Sequence, residues 1–214
     1  MVIHDATLKR TGMIDKSVSE LSAAQLRQID VGSWFAQKRR INRTFAGEKL
    51  PSLAQVLELF AANSGVLYIE MKCDAGEGPA LAAGVVSLTR ESQMMDRVVL
   101  ESFDLSAILE VKKLDSDIRT AALFEPKLAR PISTVRRFRM VDAAIEAGAD
   151  EIALHHTLAG SRVVEKAREQ GLEIVVWTVD ELAWISRARR LGVKALISND
   201  PARMVRHRDG SEGF

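Results

Sequence analysis

Cysteine is almost missing from this sequence. Cys73 stands alone among 214 residues, so no disulfide can close within the chain. A reducing compartment suits such a chain. Neither sign of charge is in excess: 30 Lys and Arg face 29 Asp and Glu, a net of +1. That balance supplies no electrostatic attraction for nucleic acid or for an anionic membrane. No apolar run reaches the roughly 18–20 residues that a membrane-spanning helix needs. A charged pair, His4-Asp5, sits where a signal peptide would carry its apolar stretch. There is no glycine-rich loop of the Rossmann or P-loop kind. These absences lead to the expectation of a cytoplasmic protein with no membrane span and no nucleic-acid partner.

What the chain does have is apolar mass in a regular order. With 47% hydrophobic residues over 1–214 it can bury the core of one domain, or of part of a larger one. Ser17–Asp30 reads as a short helix with Leu21, Leu26 and Ile29 on its apolar face. Residues 37–43 (QKRRINR) read as a solvated basic loop. From Pro51 onward an alternation begins. Ser52–Asn63 is an amphipathic helix, with Leu53, Val56, Leu57 and Phe60 at helical spacing and Ser52 as its N-cap. Strands are expected at Gly65–Lys72, Arg97–Phe103, Asp117–Phe124, Glu151–His155, Glu173–Val179 and Val193–Ser198. Helices are expected at Gly78–Glu91, Leu105–Leu114, Val141–Gly148, Ser161–Gly171 and Leu182–Leu191, with an irregular stretch around Pro126 and Pro131. Short, continuous apolar strands alternating with longer helices make a parallel sheet covered by helices. No topological switch interrupts the series, which favours a TIM-type (β/α) barrel over a doubly wound sheet. A full barrel has eight strands and about 250 residues, so this α/β barrel is expected to be incomplete.

In such a barrel the chemistry lies at the C-terminal ends of the strands. Glu70 and Lys72 end the first strand two residues apart, so they point to the same side. A carboxylate suits a hard cation and an ammonium beside it suits a phosphate; a buried structural ion pair is the competing account. Glu101, Ser102 and Phe103 end the next strand, with Glu101 at uncertain depth. Glu125 follows the third strand and receives no role. His155 and His156 are adjacent on a strand, so they should point opposite ways and form no paired metal face. Trp177 ends the fifth strand and can offer an apolar wall. At the other end of the chain, Val2-Ile3 reads as a short β-type run that delivers His4 at its end, where an imidazole can act as acid or base.

The string His4-Asp5-Ala6-Thr7-Leu8-Lys9-Arg10-Thr11-Gly12 resembles the HDxTLxRTT segment of the glycerophosphodiester phosphodiesterase family. Further elements follow in the family's order. Leu26, Ile29-Asp30, Gly32, Trp34-Phe35, Gly47-Glu48 and Leu50-Pro51-Ser52-Leu53 resemble its insertion, residues 13–50, with Ser52 in place of Thr. Ile69-Glu70-Met71-Lys72 resembles IEIK. Ser102-Phe103-Asp104 matches SFD. Trp177-Thr178-Val179-Asp180 resembles WTVN, and Asn199-Asp200-Pro201 a closing turn.

The resemblance implies a metal-dependent phosphodiesterase that hydrolyses glycerophosphodiesters to glycerol 3-phosphate and an alcohol. It implies His4 as a catalytic histidine, Glu70 as a ligand of Mg²⁺ or Ca²⁺, Lys72 on the phosphate, and Ser102, Phe103 and Trp177 lining the substrate pocket. It also implies a first strand ending His-Arg-Gly, a helix, and a second strand carrying Glu-x-Asp, none of which stands before His4. The expectation is a start upstream of Met1. The open strand edges of an incomplete barrel would invite a second copy. A truncated, non-catalytic barrel with a binding or structural role is the alternative reading.

Overall fold

The computed structural model describes residues 1–35, 45–74, 76–126 and 134–210, with the side chains of 134–137 left aside. The basic stretch 37–43 and most of the irregular stretch at 127–133 lie outside the described residues. The chain forms two compact units, one of residues 1–65 with 91–94, the other of residues 66–90 with 95–214.

The larger unit is a sheet of six parallel strands in sequential order. The strands are β1 (Leu67–Glu70), β2 (Val98–Ser102), β3 (Arg119–Phe124), β4 (Glu151–His155), β5 (Glu173–Trp177) and β6 (Ala195–Leu196). All neighbours pair in parallel, as sequential βα units require, and no strand crosses over another. The expected strands are all present: β4 has its expected bounds, and the other five are trimmed at one end or both. The connecting helices are α3 (Gly78–Glu91), α4 (Leu105–Leu114), α5 (Thr134–Glu146), α6 (Ser161–Glu169) and α7 (Ala183–Leu191).

Side chains alternate across each strand, and both faces are buried. One face carries Val99, Ala121, Leu123, Ala153 and Val175 as a cluster, with Tyr68, Trp177, Ala195 and Ile197 packed on it. The other carries Val98, Leu100, Ile152, Leu154, Ile174 and Val176, all essentially sealed. The helices supply their own buried stripes, such as Ala107, Ile108 and Val111 on α4 and Val163, Val164 and Ala167 on α6.

The sheet curls around the first face. Tyr68 on β1 donates its hydroxyl to Glu151 on β4 at 2.8 Å. In a flat sheet those strands would stand ~14 Å apart, three inter-strand steps, and side chains perpendicular to the sheet would not meet. The result is the open half of a barrel. Its floor is charged but satisfied: Glu151, 0% exposed, also accepts from Lys194 Nζ at 2.7 Å, and Lys194 pairs in turn with Glu173.

The smaller unit has little regular structure: a 3-10 turn at Val18–Glu20, α1 (Ala23–Leu26) and α2 (Leu53–Ala61). Its core is Leu8, Leu26, Ile29 and Leu50, with Met1, Ile3, Val18, Leu21 and Val31 packed around them. Two expectations fail here. The helix over Ser17–Asp30 is broken at Ser22, whose backbone is extended and whose hydroxyl caps α1 through Gln25 N. Serine competes for helix bonds in this way and so starts helices better than it continues them. The β-type run at Val2-Ile3 forms no strand. Two residues cannot sustain a ladder, and Val2 makes one backbone bond, to the Pro51 carbonyl at 2.9 Å.

A helix not foreseen at the chain's end, α8 (Pro201–Gly210), follows the closing turn. Asp200 caps it by accepting from Arg203 N at 3.0 Å, and Pro201 stands at its first position. No helix among the described residues is long and apolar enough to cross a membrane.

Candidate active site

In the smaller unit the opening motif folds as a brace around Asp5. Arg10 donates to both Asp5 oxygens, from Nε at 2.6 Å and a terminal nitrogen at 2.8 Å, and its guanidinium lies 5.4 Å from the centre of the Trp34 ring. His4 Nδ1 lies 2.7 Å from Asp5 Oδ1. Arg10 first, and then His4, hold the Asp5 carboxyl far below the usual carboxylate range. An ionised carboxylate only accepts, so Nδ1 carries the hydrogen of that bond. His4 therefore stands in an exposed loop, not at a strand end, and Asp5 orients it. Leu8 is sealed in the core, and Gly12 approaches so closely that a Cβ there would meet Leu8 O at 3.1 Å. The motif's spacing is the geometry of this turn.

The second part of the motif is held by Asp30. Its carboxylate accepts from Gly32 N and Ser33 N at 2.9 Å each, from Ser33 Oγ at 2.7 Å and from Gly47 N at 2.9 Å. These bonds, led by those from Ser33, hold its pKa far below the usual range.

In the larger unit, Glu70 ends β1 and Lys72 follows it on the same side, 3.3 Å apart, with side chains 28% and 40% exposed. This is a half-exposed, exchangeable pair, unlike the buried ion pair set out as the competing account. Glu70 pairs in register with Glu101 on β2. Glu101 is 7% exposed, and its Oε2 has no hydrogen-bond partner among the described residues. Burial first, then the charges of Glu70 and Glu151, push its pKa up to about 7, with Lys72 opposing. Glu101 gained no role from the sequence, yet a signal was there: it lies two residues before Phe103 on a strand, and so on the same face.

Phe103 lies just past β2, 43% exposed, with its ring edge-to-face on Trp177 at 5.6 Å. Trp177 is anchored by donating Nε1 to the Ala153 carbonyl at 3.2 Å, and the His155 ring also meets it edge-to-face at 5.3 Å. These three rings form an aromatic wall at the strand ends. Ser102 is placed differently. It is 1% exposed; its hydroxyl donates to Met71 O at 2.8 Å and accepts from Asp104 N at 3.1 Å. It ties the ends of β1 and β2 together. Asp104 then caps α4 by accepting from Ser106 N at 2.9 Å.

The expectation that His155 and His156 point apart is overturned. β4 ends at His155, so strand alternation no longer governs His156, and the two rings lie 4.2 Å apart. They remain separately engaged, His155 Nδ1 with Thr157 Oγ1 at 2.8 Å and His156 Nδ1 with Thr178 O at 3.1 Å. Burial, then His156, lowers the His155 pKa. Asp180, where the family carries Asn, accepts from Ser198 Oγ, Asn199 N and Asn199 Nδ2 at 2.8–2.9 Å, fastening the last turn. Among the described residues, no three His, Cys, Asp or Glu are grouped so as to hold a metal ion.

The model of the glycerophosphoryl diester phosphodiesterase family matches residues 1–203. The chain belongs to this family. Among its relatives is a glycerophosphodiester phosphodiesterase of Caldanaerobacter subterraneus subsp. tengcongensis, 25% identical over 207 residues, which span 96% of this chain and 78% of the relative. Another, from Bacillus subtilis strain 168, is 25% identical over 209 residues, 94% of this chain and 69% of the relative. The fold is that of a phosphodiesterase of Oleispira antarctica, solved in complex with the product sn-glycerol-3-phosphate. The two superpose with a TM-score of 0.81 at 20% identity, over 97% of this chain and 78% of the other. By family, then, the chain is a hydrolase of the phosphodiesterase kind on a TIM-type barrel scaffold. The family is consistent with divalent-cation dependence in general.

Proposed function

We propose that this chain acts on glycerophosphodiesters, releasing glycerol 3-phosphate and an alcohol with the help of a divalent cation, Mg²⁺ or Ca²⁺. The observation that carries the reading is the Glu70–Lys72 pair at the end of β1, 3.3 Å apart and open to solvent. A hard oxygen donor and an ammonium side by side match a cation–phosphodiester pair, each finding its opposite charge. Membership of the family supports the substrate class.

Glu70 holds the cation in this reading. The donor chemistry fits: a carboxylate at the strand end, faced in register by a second carboxylate, Glu101, that has an oxygen without a partner. Mg²⁺ commonly binds through one or two carboxylates, with waters and substrate phosphate completing its shell. When bound, the cation would neutralise charge on the phosphoryl oxygens. Lys72 takes the remaining phosphate charge. Phe103 and Trp177 give the glycerol or alkyl portion an apolar wall, and Ser102 keeps Phe103 in place through the backbone of β1 and β2. The family resemblance gives His4, oriented by Asp5, the part of passing a proton to the leaving alcohol.

The test pairs two measurements: release of glycerol 3-phosphate from glycerophosphocholine with added Mg²⁺ or Ca²⁺, and calorimetric binding of glycerol 3-phosphate under the same conditions. Cation-dependent binding that Lys72→Ala weakens about tenfold or more is expected, in line with the loss of a charge-assisted phosphate contact. Neither binding nor turnover would overturn the reading and leave the chain a non-catalytic barrel.

A further inference from the structure

Two buried carboxylates line the inside of the half-barrel, and they are treated oppositely. Glu151 is 0% exposed, and both its oxygens are matched, Oε2 by Tyr68 and Oε1 by Lys194. Glu101 is 7% exposed, and its Oε2 has no partner among the described residues. Buried polar atoms are nearly always paired, because leaving one without a partner costs about 1–3 kcal/mol. A glutamate with no task could be replaced by an apolar residue at that position, as at Ala121 next to it in register. The groups electrostatically coupled to Glu101 are Glu70 on β1, Glu151 on β4 and Lys72 beyond β1. Two of the three repel its ionised form.

We propose that Glu101 is a second carboxylate ligand, beside Glu70, of one divalent cation held between β1 and β2. The inference rests on reading Glu70 as a ligand, and it adds the residue that the family resemblance leaves out. Glu70 and Glu101 are direct register partners in parallel strands. Their side chains leave the sheet on the same face, in adjoining positions. A cation there gives Glu101 Oε2 its missing partner and turns the Glu70–Glu101 repulsion into shared attraction. All-oxygen donors with waters in the remaining positions suit Mg²⁺ or Mn²⁺ better than a soft metal. Lys72, on the same side as Glu70, stays within reach of a phosphate bridging to that ion.

The test measures metal binding rather than turnover. The chain is stripped with EDTA and titrated with Mn²⁺, following loss of the free-ion EPR signal, with Mg²⁺ as competitor. Wild type, Glu70→Gln and Glu101→Gln are compared, with folding checked by circular dichroism before metal is added. The expected result is that each variant weakens Mn²⁺ binding about tenfold or more, at least what losing a supporting residue costs. If Glu70→Gln weakens binding and Glu101→Gln does not, the Glu70 reading stands and this proposal falls. If neither does, or wild type binds no Mn²⁺, both fall. If only Glu101→Gln does, Glu70 is not a ligand and the paired site falls with it. Should Glu101→Gln fail to fold, wild-type protein labelled with ¹³C at glutamate carboxyls decides the matter. Substoichiometric Mn²⁺ should broaden the Glu70 and Glu101 signals together; broadening of Glu70 without Glu101 overturns the proposal.

Discussion

Asp5 and Asp30 in the smaller unit and Glu101 in the larger are carboxylates held in opposite ways. In the smaller unit Asp5 and Asp30 sit among donors: a bidentate arginine for one, three backbone amides and a hydroxyl for the other. Their pKa values fall. In the larger unit Glu101 is buried, and that burial, with the charges of Glu70 and Glu151, raises its pKa to about 7. The smaller unit has four buried apolar residues in its cluster and, beside α2, little more than the single turn of α1, so its shape depends on hydrogen bonds to fixed side chains. The larger has a continuous core on both faces of its sheet and can tolerate a dissatisfied atom such as Glu101 Oε2. The comparison teaches where each kind of residue is replaceable. A braced carboxylate holds a loop in shape, whereas a carboxylate at a cost in the interior calls for a ligand to account for it.

The largest effect should come from the braced side. Replacing His4 with Ala should lower turnover of glycerophosphocholine about 10²–10⁴-fold, the usual worth of a positioned acid. On a nitrophenyl diester, whose leaving group needs no proton, the loss should be much smaller. Equal losses on both substrates would mean that His4 positions the substrate and donates no proton.

Next in size is a test of how far the smaller unit depends on its turns. A Cβ at Gly32 would stand 1.8 Å from Phe45 O, a backbone atom that cannot swing aside. Gly32→Ala should therefore cost about 3 kcal/mol or more, at the upper end for overpacking. Hydrogen exchange should locate the loss: the amides of Leu8 and Gly12 should exchange faster while those of β2 to β5 keep their protection. Equal loosening in both units would break the comparison.

Sequence alone went far with the larger unit and less far with the smaller. Strands such as Glu151–His155 and helices such as Leu105–Leu114 announced themselves because continuous apolar runs and helical stripes follow from burial on two faces. The shared side of Glu70 and Lys72 was legible by parity, since every second residue of a strand shares a face, whereas Phe103 and Trp177 were singled out by the family resemblance. Glu101 had the same parity, but its depth depends on the register with β1, which only the fold supplies. The smaller unit is made of turns whose bonds join distant positions, Asp30 to Gly47 for example, and no local period encodes them. Asp200-Pro201 did encode a helix start, and a turn was read there instead.

Glu101 supplies a pH test of the interior side, made on metal-free protein in EDTA. Its folded pKa, about 7, lies above its ordinary value of 4.5. An acid shifted upward destabilises the fold where the unfolded chain has released the proton and the folded one resists doing so. The penalty is therefore absent below pH 4.5, grows through the interval to pH 7, and is fully present above it. At about 1.4 kcal/mol per pKa unit it reaches roughly 3 kcal/mol at most. Glu101→Gln should remove that slope: relative to wild type, the variant should gain stability between pH 4 and 8, read from urea midpoints. A flat difference across that range would place Glu101 in a wetter, better satisfied site.

The smallest effect comes from making one substitution in both units. Ser52 caps α2 by accepting from Gln55 N at 3.3 Å, in an exposed place. Losing it exposes one amide to water, and caps of this kind are worth about 1 kcal/mol. Ser102 is sealed, and its hydroxyl serves two backbone groups, the Met71 carbonyl and the Asp104 amide. Alanine there leaves both without that partner where water is scarce, so Ser102→Ala should cost about 2 kcal/mol. It should also free Phe103, which follows Ser102, so quenching of Trp177 fluorescence by its neighbouring ring should weaken; Ser52→Ala should leave it unchanged. The ratio of the two losses, read from denaturation midpoints, measures how much drier the half-barrel is than the unit of turns. If Ser52→Ala proved the costlier change, the smaller unit would be the better sealed of the two, and the contrast between them would have to be reversed.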